Sequence, residues 1–284
     1  VFFAPAMDLD MYKHNSTKES VKKLQSFGNI LIPPAVGELA SGLSGEGRLP
    51  EPEEVVEFIH NHYSVNLPLN GKKVLISAGP TVEQLDPVRF ISNHSSGKMG
   101  YSLAETALSL GGDVTLVSGP TNQIISSKKI HLINVKTGNE MYSNVLDNYE
   151  DADIVIMAAA VSDYKPKEFS QKKIKKDNKE INIKFEKTTD ILNELGKHKK
   201  NQFLVGFALE NDNEIINAKT KLKNKNLDLI VLNSLNDKGA GFGYDTNKVS
   251  LINKSDEIVT FDLKEKSMVA LDIFNYIIKT IWDL

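Results

Sequence analysis

Cysteine is absent from this sequence of 284 residues, and tryptophan occurs only once. Without thiols the chain cannot form disulfides, thiolate-ligated zinc sites or iron–sulfur clusters, and it cannot use a cysteine nucleophile. The lack of cysteine fits a reducing compartment, so we expect a cytoplasmic protein.

An excess of charge of one sign is missing as well. The 34 basic and 37 acidic residues give a formal net charge of −3, so no overall field draws the chain toward nucleic acid or a membrane surface. The longest strongly apolar run, residues 154–161, is far shorter than the roughly 20 residues that cross a bilayer. We therefore expect no nucleic-acid partner and no membrane span.

The beginning of the sequence has neither an initiator methionine nor a basic segment. It opens on the apolar run Val1–Ala4, which predicts a buried strand. A secretory signal carries basic residues ahead of its apolar part, so this start does not resemble one. We interpret the sequence as a fragment whose first part is missing.

The length predicts one large domain or two moderate ones. The pattern of residues 1–66 predicts two short strands, two helices and a glycine-rich loop at residues 37–48. These few elements can bury only a small hydrophobic core. We expect a partial α/β domain there, followed by a turn-rich linker.

From residue 71 to residue 284 the pattern is more regular. Continuously apolar strands alternate with helices of roughly 10–15 residues, which is typical of a doubly wound, mainly parallel sheet. The lysine-rich residues 165–187 are predicted to be a long loop, and residues 249–263 a hairpin. The second domain is therefore predicted to be Rossmann-like α/β.

A phosphate-binding helix start is predicted near residue 96. Ser95 or Ser96 can cap the helix, whose free N–H groups favour an anion, and Lys98 adds a positive charge. Arg89 can bind phosphate or carboxylate with two hydrogen bonds. Walker A spacing and the G-x-G-x-x-G fingerprint are both absent. A helix that is merely capped stays an alternative.

Two further stretches could carry chemistry. Small residues at Ala158–Val161 follow an apolar strand and would let a flat ring or a backbone come close, while Asp163 could hold a metal or a hydroxyl. The alternative is close packing against a helix. The lysines at 172–176 and 219–225 could neutralise a polyphosphate or lie on a solvated surface.

The string at residues 86–100, Asp-Pro-Val-Arg-Phe-Ile-Ser-Asn-His-Ser-Ser-Gly-Lys-Met-Gly, resembles the phosphopantothenate–cysteine ligase domain of the bifunctional coenzyme A biosynthesis flavoproteins. The resemblance extends over residues 71 to about 265. Further segments of the family follow in order: Ala158–Pro166, Lys173–Lys176, Thr189–Leu192, Val205–Glu210, Asn226–Ile230, Asn233, Gly241–Phe242–Gly243 and Asp245–Asn247.

The resemblance implies a ligase with small-molecule substrates. Enzymes of this family activate 4′-phosphopantothenate with CTP and Mg²⁺, which gives an acyl-cytidylate and pyrophosphate. The amine of cysteine then attacks the acyl carbon and CMP leaves. The resemblance also implies a homo-oligomer, a dimer of ligase domains.

The resemblance also implies roles for particular residues. Arg89, Asn93 and Ala160 fall on positions that bind or stabilise the acyl-cytidylate, and Lys173 on a catalytic position. Asp163 is in addition the implied Mg²⁺ ligand. The implied nucleotide-binding residues are Asp163, Lys173, Thr189, Asp190, Ile191, Leu192, Phe207, Lys221 and Lys225.

The first 66 residues resemble the other half of these proteins, the phosphopantothenoylcysteine decarboxylase. Pro5, Met7 and Asp8 fall on its substrate-binding Pro-x-Met-Asn motif, with Asp8 in place of Asn. Residues 39–48 resemble its substrate clamp, with Ser41 in place of the active-site Cys. The FMN-binding start and the catalytic histidine of that half are not in this sequence, so we expect FMN and decarboxylation only in a full-length parent.

Two other functions stay open at this point. A Rossmann-type oxidoreductase that binds NAD(P) or flavin would suit the predicted fold, although its glycine fingerprint is missing. A ligase fold that has lost catalysis and serves as an interaction module would leave the motifs without chemistry.

Overall fold

The computed structural model describes residues 1–64, 67–175, 181–237, 239–241 and 243–282. Lys176 and Phe242, which belong to the segments that carry the resemblance, lie outside these residues, as does part of the predicted linker. The chain forms two compact units, Val1–Leu67 and Pro68–Leu284. We refer to them as unit 1 and unit 2.

Unit 1 consists of short elements. They are β1 (Phe2–Phe3), α1 (Leu9–Lys13), α2 (Asn15–Ser26), β2 (Ile30–Leu31), β3 (Ala35–Glu38), β4 (Ser44–Arg48) and α3 (Pro52–Ser64). Strand β1 pairs in parallel with β2, and β3 pairs antiparallel with β4. The interpretation of residues 37–48 as a loop is therefore wrong, because they form most of a hairpin.

Glycine explains why this hairpin escaped the sequence pattern. A Cβ at Gly45 would lie 2.5 Å from Leu9 Cδ1, and one at Gly47 would lie 2.2 Å from the carbonyl oxygen of Met7. The hairpin backbone thus packs directly against the segment at residues 7–9, where β-branched residues would collide. Strand prediction depends on those residues, so it fails here.

Unit 2 contains the remaining elements. The strands are β5 (Lys73–Ala78), β6 (Val82–Gln84), β7 (Phe90–Ser92), β8 (Asp113–Ser118), β9 (His131–Asn134), β10 (Ile154–Met157), β11 (Tyr164–Pro166), β12 (Phe185–Lys187), β13 (Phe203–Glu210), β14 (Leu229–Ser234), β15 (Thr246–Asn247), β16 (Val249–Asn253), β17 (Ile258–Thr260) and β18 (Lys264–Glu265). The helices are α4 (Lys98–Ser109), α5 (Gly138–Asp147), α6 (Ile191–His198), α7 (Glu214–Asn224) and α8 (Lys266–Trp282).

Eight of these strands form one sheet in the order β17-β16-β14-β13-β10-β5-β8-β9. The six strands from β14 to β9 are parallel. Numbered along the chain, they give the order 3-2-1-4-5-6 of doubly wound dinucleotide-binding folds. Strands β16 and β17, the predicted hairpin, extend the edge in antiparallel fashion. The predicted Rossmann-like fold is confirmed.

Two apolar clusters cover the two faces of the sheet. In β5, Val74 and Ile76 face the cluster that contains residues of α4 and α8, and Leu75 faces the cluster that contains residues of α5, α6 and α7. All three side chains are buried. Burial on both faces explains why the strands are continuously apolar.

Three antiparallel pairs beside the sheet were not predicted. Strand β6 pairs with β7, β11 pairs with β12, and β15 pairs with β18. Residues 165–187 are therefore not a loop throughout, since paired strands occupy both of their ends. Each of these strands has at most three residues, which is too short to show an apolar period. Among the described residues, no helix combines the length and the apolar character needed to cross a bilayer.

Candidate active site

A cavity of about 670 Å³ lies at the carboxyl ends of the central strands of unit 2. Its walls include residues 157–161 at the end of β10, residues 207–209 in β13 and residues 95–100 at the start of α4. Strand β10 lies next to β5, where the direction in which the chain winds reverses. Ligands of open α/β sheets bind at this switch point.

The start of α4 forms one wall. The helix begins at Lys98 and its N-cap is Gly97, with φ of +77° and no hydrogen bond from a capping side chain. The prediction of Ser95–Ser96 as the cap is therefore wrong by one or two residues. A Cβ at Gly100 would lie 2.5 Å from Ala78 Cβ, so glycine lets the helix lie close to β5. The first turn keeps its amide groups without a side-chain cap, as an anion site requires.

Asn93 connects two segments of the wall. Its side-chain Nδ2 donates hydrogen bonds to the carbonyl oxygens of Ala160 and Val161, both at 3.1 Å. The Thr81 hydroxyl accepts a bond from the Ser162 amide at 3.0 Å and is fully buried, so Thr81 supports the same segment. Both amide hydrogens of Asn93 are thus used by the protein, and its oxygen remains for a ligand.

Two lysines of the α7 region form a cationic wall. Lys225 Nζ lies 2.8 Å from the carboxylate of Asp190, and Lys221 Nζ donates to the carbonyl of Phe207 at 2.7 Å. Burial opposes the ionisation of Asp190, but bonds from Lys225 and from the Asn193 amide outweigh it and hold the pKa of Asp190 below its ordinary value. Burial lowers the pKa of Lys221, and the charge of Lys225 lowers it further.

The implied nucleotide-binding residues lie on this cavity with a single exception. Those that line it are Asp163, Thr189, Asp190, Ile191, Leu192, Phe207, Lys221 and Lys225. Asn233 also lines the cavity, and its buried Oδ1 has no hydrogen-bond partner among the described residues. This oxygen can accept a bond from a hydroxyl or amine of a ligand.

Asp163 is exposed at the cavity wall. The described residues contain no group of three or more histidine, cysteine or acidic side chains that could hold a metal ion. One carboxylate is compatible with Mg²⁺ when substrate phosphates supply further oxygens, as is common for this ion. The fit of Asp163 to Mg²⁺ therefore depends on a bound polyphosphate.

Arg89 and Lys173 are not among the residues that line the cavity. Asp86, fully buried, accepts bonds from the amides of Val88 and Arg89 at 2.8 Å and of Ile174 at 3.2 Å. Arg89 Nε lies 3.3 Å from Asp86, and its Nη2 donates to the Ile174 carbonyl. Arg89 thus holds the segment that carries the exposed Lys173.

The carboxyl group of Asp86, at the centre of this cluster, has a lowered pKa. Burial acts against the charge of Asp86, but three backbone amides and the charge of Arg89 outweigh it and lower its pKa. The sequence predicts that Arg89 binds a ligand anion directly. In the structure its guanidinium binds Asp86, and its contact with a ligand anion stays a prediction.

Sequence reasoning missed Lys266, which also lines the cavity. It belongs to none of the family segments, and its only unusual feature is a positive side chain at the first residue of a helix, where the helix dipole disfavours it. Lys98 lines the cavity too and is paired with Asp245 at 2.5 Å.

In unit 1 the motif residues contact the hairpin. Asp8 caps α1 by accepting a hydrogen bond from the Leu9 amide at 2.6 Å, and the Met7 amide donates to the carbonyl of Gly47 at 2.9 Å. Pro5 is partly buried and Ser41 is exposed. The two segments that resemble the decarboxylase are thus adjacent within this unit.

Comparison with known proteins finds a family for each unit and relatives that match almost the whole chain. Residues 69–281 match the DNA/pantothenate metabolism flavoprotein C-terminal domain, and residues 1–64 match the flavoprotein family. A cysteine/cysteine sulfinic acid decarboxylase from an unknown prokaryotic organism is 52% identical over 98% of this chain and 79% of its own length. The coenzyme A biosynthesis bifunctional protein CoaBC of Bacillus subtilis (strain 168) is 43% identical over 98% of this chain and 69% of its own length.

A solved structure agrees with the match to CoaBC. The C-terminal domain of a coenzyme A biosynthesis bifunctional protein CoaBC superposes with a TM-score of 0.66 at 39% identity, covering 77% of this chain and all of that domain. Because the family matches span both units and the relatives match almost the whole chain, the chain belongs to the CoaBC-like DNA/pantothenate metabolism flavoprotein family.

Proposed function

We propose that this chain joins 4′-phosphopantothenate to cysteine in coenzyme A biosynthesis, with CTP as the activating nucleotide. The observation that carries the proposal is the cavity at the switch point of the sheet. It gathers, from separate segments of the chain, nearly all residues that the ligase resemblance implies for the nucleotide. An oxidoreductase is not favoured, since the family match lies with the ligase domain and the glycine fingerprint is missing.

In the first half-reaction a carboxylate oxygen of phosphopantothenate attacks the α-phosphorus of CTP, and pyrophosphate leaves. Negative charge builds on phosphate oxygens, so fixed cations beside them lower the barrier. Lys221 and Lys225 supply such charges, and Asp190 holds Lys225 in place. Asp163 would hold Mg²⁺ together with the phosphates. When bound, the ion neutralises phosphate charge and orients the triphosphate.

In the second half-reaction the amine of cysteine attacks the acyl carbon of the acyl-cytidylate, and CMP leaves. Asn93 fixes the carbonyl groups of Ala160 and Val161, and the small side chain of Ala160 lets the intermediate approach this wall. The oxygen of Asn93 remains available to accept a hydrogen bond from the intermediate. Asn93 and Ala160 therefore act by shaping the wall on which the second step takes place.

The test is CTP-dependent release of pyrophosphate in the presence of phosphopantothenate, followed by product formation on addition of cysteine. We expect Lys173→Gln to lose most of the release while folding normally, because a charge near the triphosphate stabilises the transition state more than the ground state. Lys173 is exposed outside the cavity, so this variant also tests whether its segment acts on bound nucleotide.

Lys172→Gln is the matched control, since Lys172 is an exposed neighbour that the resemblance does not implicate. It should keep the wild-type rate. Absence of pyrophosphate release from the unchanged chain would overturn the proposed function. Equal rates in Lys173→Gln and Lys172→Gln would place Lys173 on the solvated surface instead.

Several expectations are kept as proposals. FMN belongs with the flavoprotein half, and we propose no decarboxylation step for the described residues. Pro5, Met7, Asp8 and Ser41 are proposed as substrate-recognition elements of that half. The domain limits at 1–66 and 71–284, the homodimer and the cytoplasmic location stay predictions.

A further inference from the structure

Lys266 is a buried cation whose hydrogen bonds go to backbone carbonyl groups. The residue is 5% exposed. Its Nζ donates to the carbonyl oxygens of Gly241 at 3.1 Å and Tyr244 at 2.6 Å, and its own amide donates to the carbonyl of Asp245 at 3.1 Å. An ammonium group has three N–H donors, and these side-chain contacts use two of them.

Among the residues that the structure describes, no acidic side chain is paired with Lys266 alone. The charged groups that act on Lys266 are Lys98 and Asp245, and Asp245 is already paired with Lys98. Burial lowers the pKa of Lys266, and the charge of Lys98 lowers it further. As the first residue of the 17-residue helix α8, Lys266 also lies at the positive end of a helix dipole.

Each of these features costs free energy at the position of Lys266. Burial without a paired anion, a neighbouring like charge and an unfavourable dipole all oppose a protonated lysine here. An anion in the cavity would interact favourably with Lys266, with Lys98 and with the N-terminus of α8. The cost of the arrangement is therefore reduced when the cavity holds a phosphate group.

We propose that Lys266 is a phosphate-binding residue of the ligase cavity, which uses its remaining N–H donor for the ligand and holds the carbonyl groups of Gly241 and Tyr244 beside it. This inference rests on the proposed function, because it assigns a substrate group to the same cavity. The ligand is a phosphate or polyphosphate, and its source is either the triphosphate of CTP or the 4′-phosphate of phosphopantothenate.

The experiment measures binding without turnover, by calorimetric titration with inorganic tripolyphosphate and separately with 4′-phosphopantothenate. The main variant is Lys266→Gln, whose amide keeps two donors for the loop carbonyls and removes the charge. We expect it to bind one of the two probes about 10–100-fold more weakly, the loss typical of a hydrogen bond to a charged group. Lys266→Arg keeps the charge and should stay within about threefold of wild type for the same probe.

Lys248→Gln is the matched control. Lys248 Nζ lies 2.9 Å from Asp237 Oδ1, so it holds the chain on either side of the same loop, but it does not line the cavity. If Lys266→Gln binds only tripolyphosphate more weakly, Lys266 contacts the nucleotide. If it binds only phosphopantothenate more weakly, Lys266 contacts the acyl substrate. Wild-type binding of both probes by Lys266→Gln, or an equal loss in Lys248→Gln, would overturn the inference.

Two further measurements keep the outcome decisive. If thermal denaturation shows that Lys266→Gln is not folded, Lys266→Met replaces it in the same titrations, because methionine packs like the lysine stem. Pyrophosphate release by the unchanged chain is measured in parallel. Its absence would refute the proposed function, whereas the tripolyphosphate titration still decides whether Lys266 binds phosphate.

Discussion

The two units of the chain have similar local elements and differ in what those elements bury. Among the described residues of unit 1, Ile32 and Leu39 are the buried hydrophobic side chains, while Val1, Phe27 and Val36 are 89%, 69% and 71% exposed. Unit 2 has apolar clusters on both faces of an eight-stranded sheet. Helix caps and turns are enough to define single elements, but a rigid cavity requires a sheet that is buried on both sides.

The largest effect should come from a core residue of the central sheet. Ile156 lies in β10 and is fully buried, so Ile156→Ala removes packed methyl groups and should destabilise unit 2 by about 2–5 kcal/mol. Val36→Ala is the counterpart in unit 1, where an exposed side chain should change stability by less than about 1 kcal/mol. Urea denaturation followed by circular dichroism measures both, and equal losses would refute the contrast between the units.

Burial also explains how much of the fold was predictable. The strands of the central sheet were predicted because both of their faces are apolar, and α4, α5 and α7 because periodic apolar residues are bounded by caps or glycine. Strands β11 and β12 were missed because three residues are too few to show a period, and the hairpin of β3 and β4 because glycine replaces the usual strand formers. Such elements depend on contacts distant in sequence.

The cavity was predictable where a motif marks it. The string at residues 86–100 indicated Asn93 and the start of α4, but it could not show that Asn93 donates to two carbonyl groups or that Arg89 binds Asp86. Those partners follow from folding. Lys266 had no motif at all, and its proposed role depends on contacts with the carbonyl groups of Gly241 and Tyr244.

A smaller effect is expected at the hairpin of unit 1. Gly47 has φ of +136°, and a Cβ there would lie 2.2 Å from the carbonyl oxygen of Met7. Gly47→Ala should therefore break the hydrogen bond that the Met7 amide donates to the Gly47 carbonyl, and lower the free energy of unfolding by roughly 1–3 kcal/mol. Faster hydrogen exchange at residues 7–9 would report it. Gly42→Ala is the control, because Gly42 also has a positive φ of +80° but an added Cβ would meet no atom within 4 Å. Its free energy of unfolding should fall only by the backbone strain. Similar exchange in both variants would mean that unit 1 lacks a fixed contact at Met7.

The smallest expected effect is a pH dependence of stability and of CTP affinity that arises at Lys221, in the cavity of unit 2. Burial and the charge of Lys225 lower the pKa of Lys221 below its ordinary value of 10.5, so between the folded and the unfolded pKa the unfolded chain binds more protons. Stability from this group therefore rises with pH across that window. Affinity for CTP should move in the opposite direction, because a phosphate group is bound by the protonated amine.

Binding of CTP in that window should consequently take up protons, since the bound anion raises the pKa of Lys221 toward its ordinary value. Calorimetric titrations in buffers of different ionisation enthalpy measure the uptake directly. Lys221→Met should bind CTP more weakly and lose the share of the uptake that belongs to this lysine, whereas Lys223→Met, on the same helix but outside the cavity lining, should keep it. Proton uptake that is the same in Lys221→Met as in wild type would show that the pH dependence arises at another group and that burial of Lys221 does not control nucleotide binding.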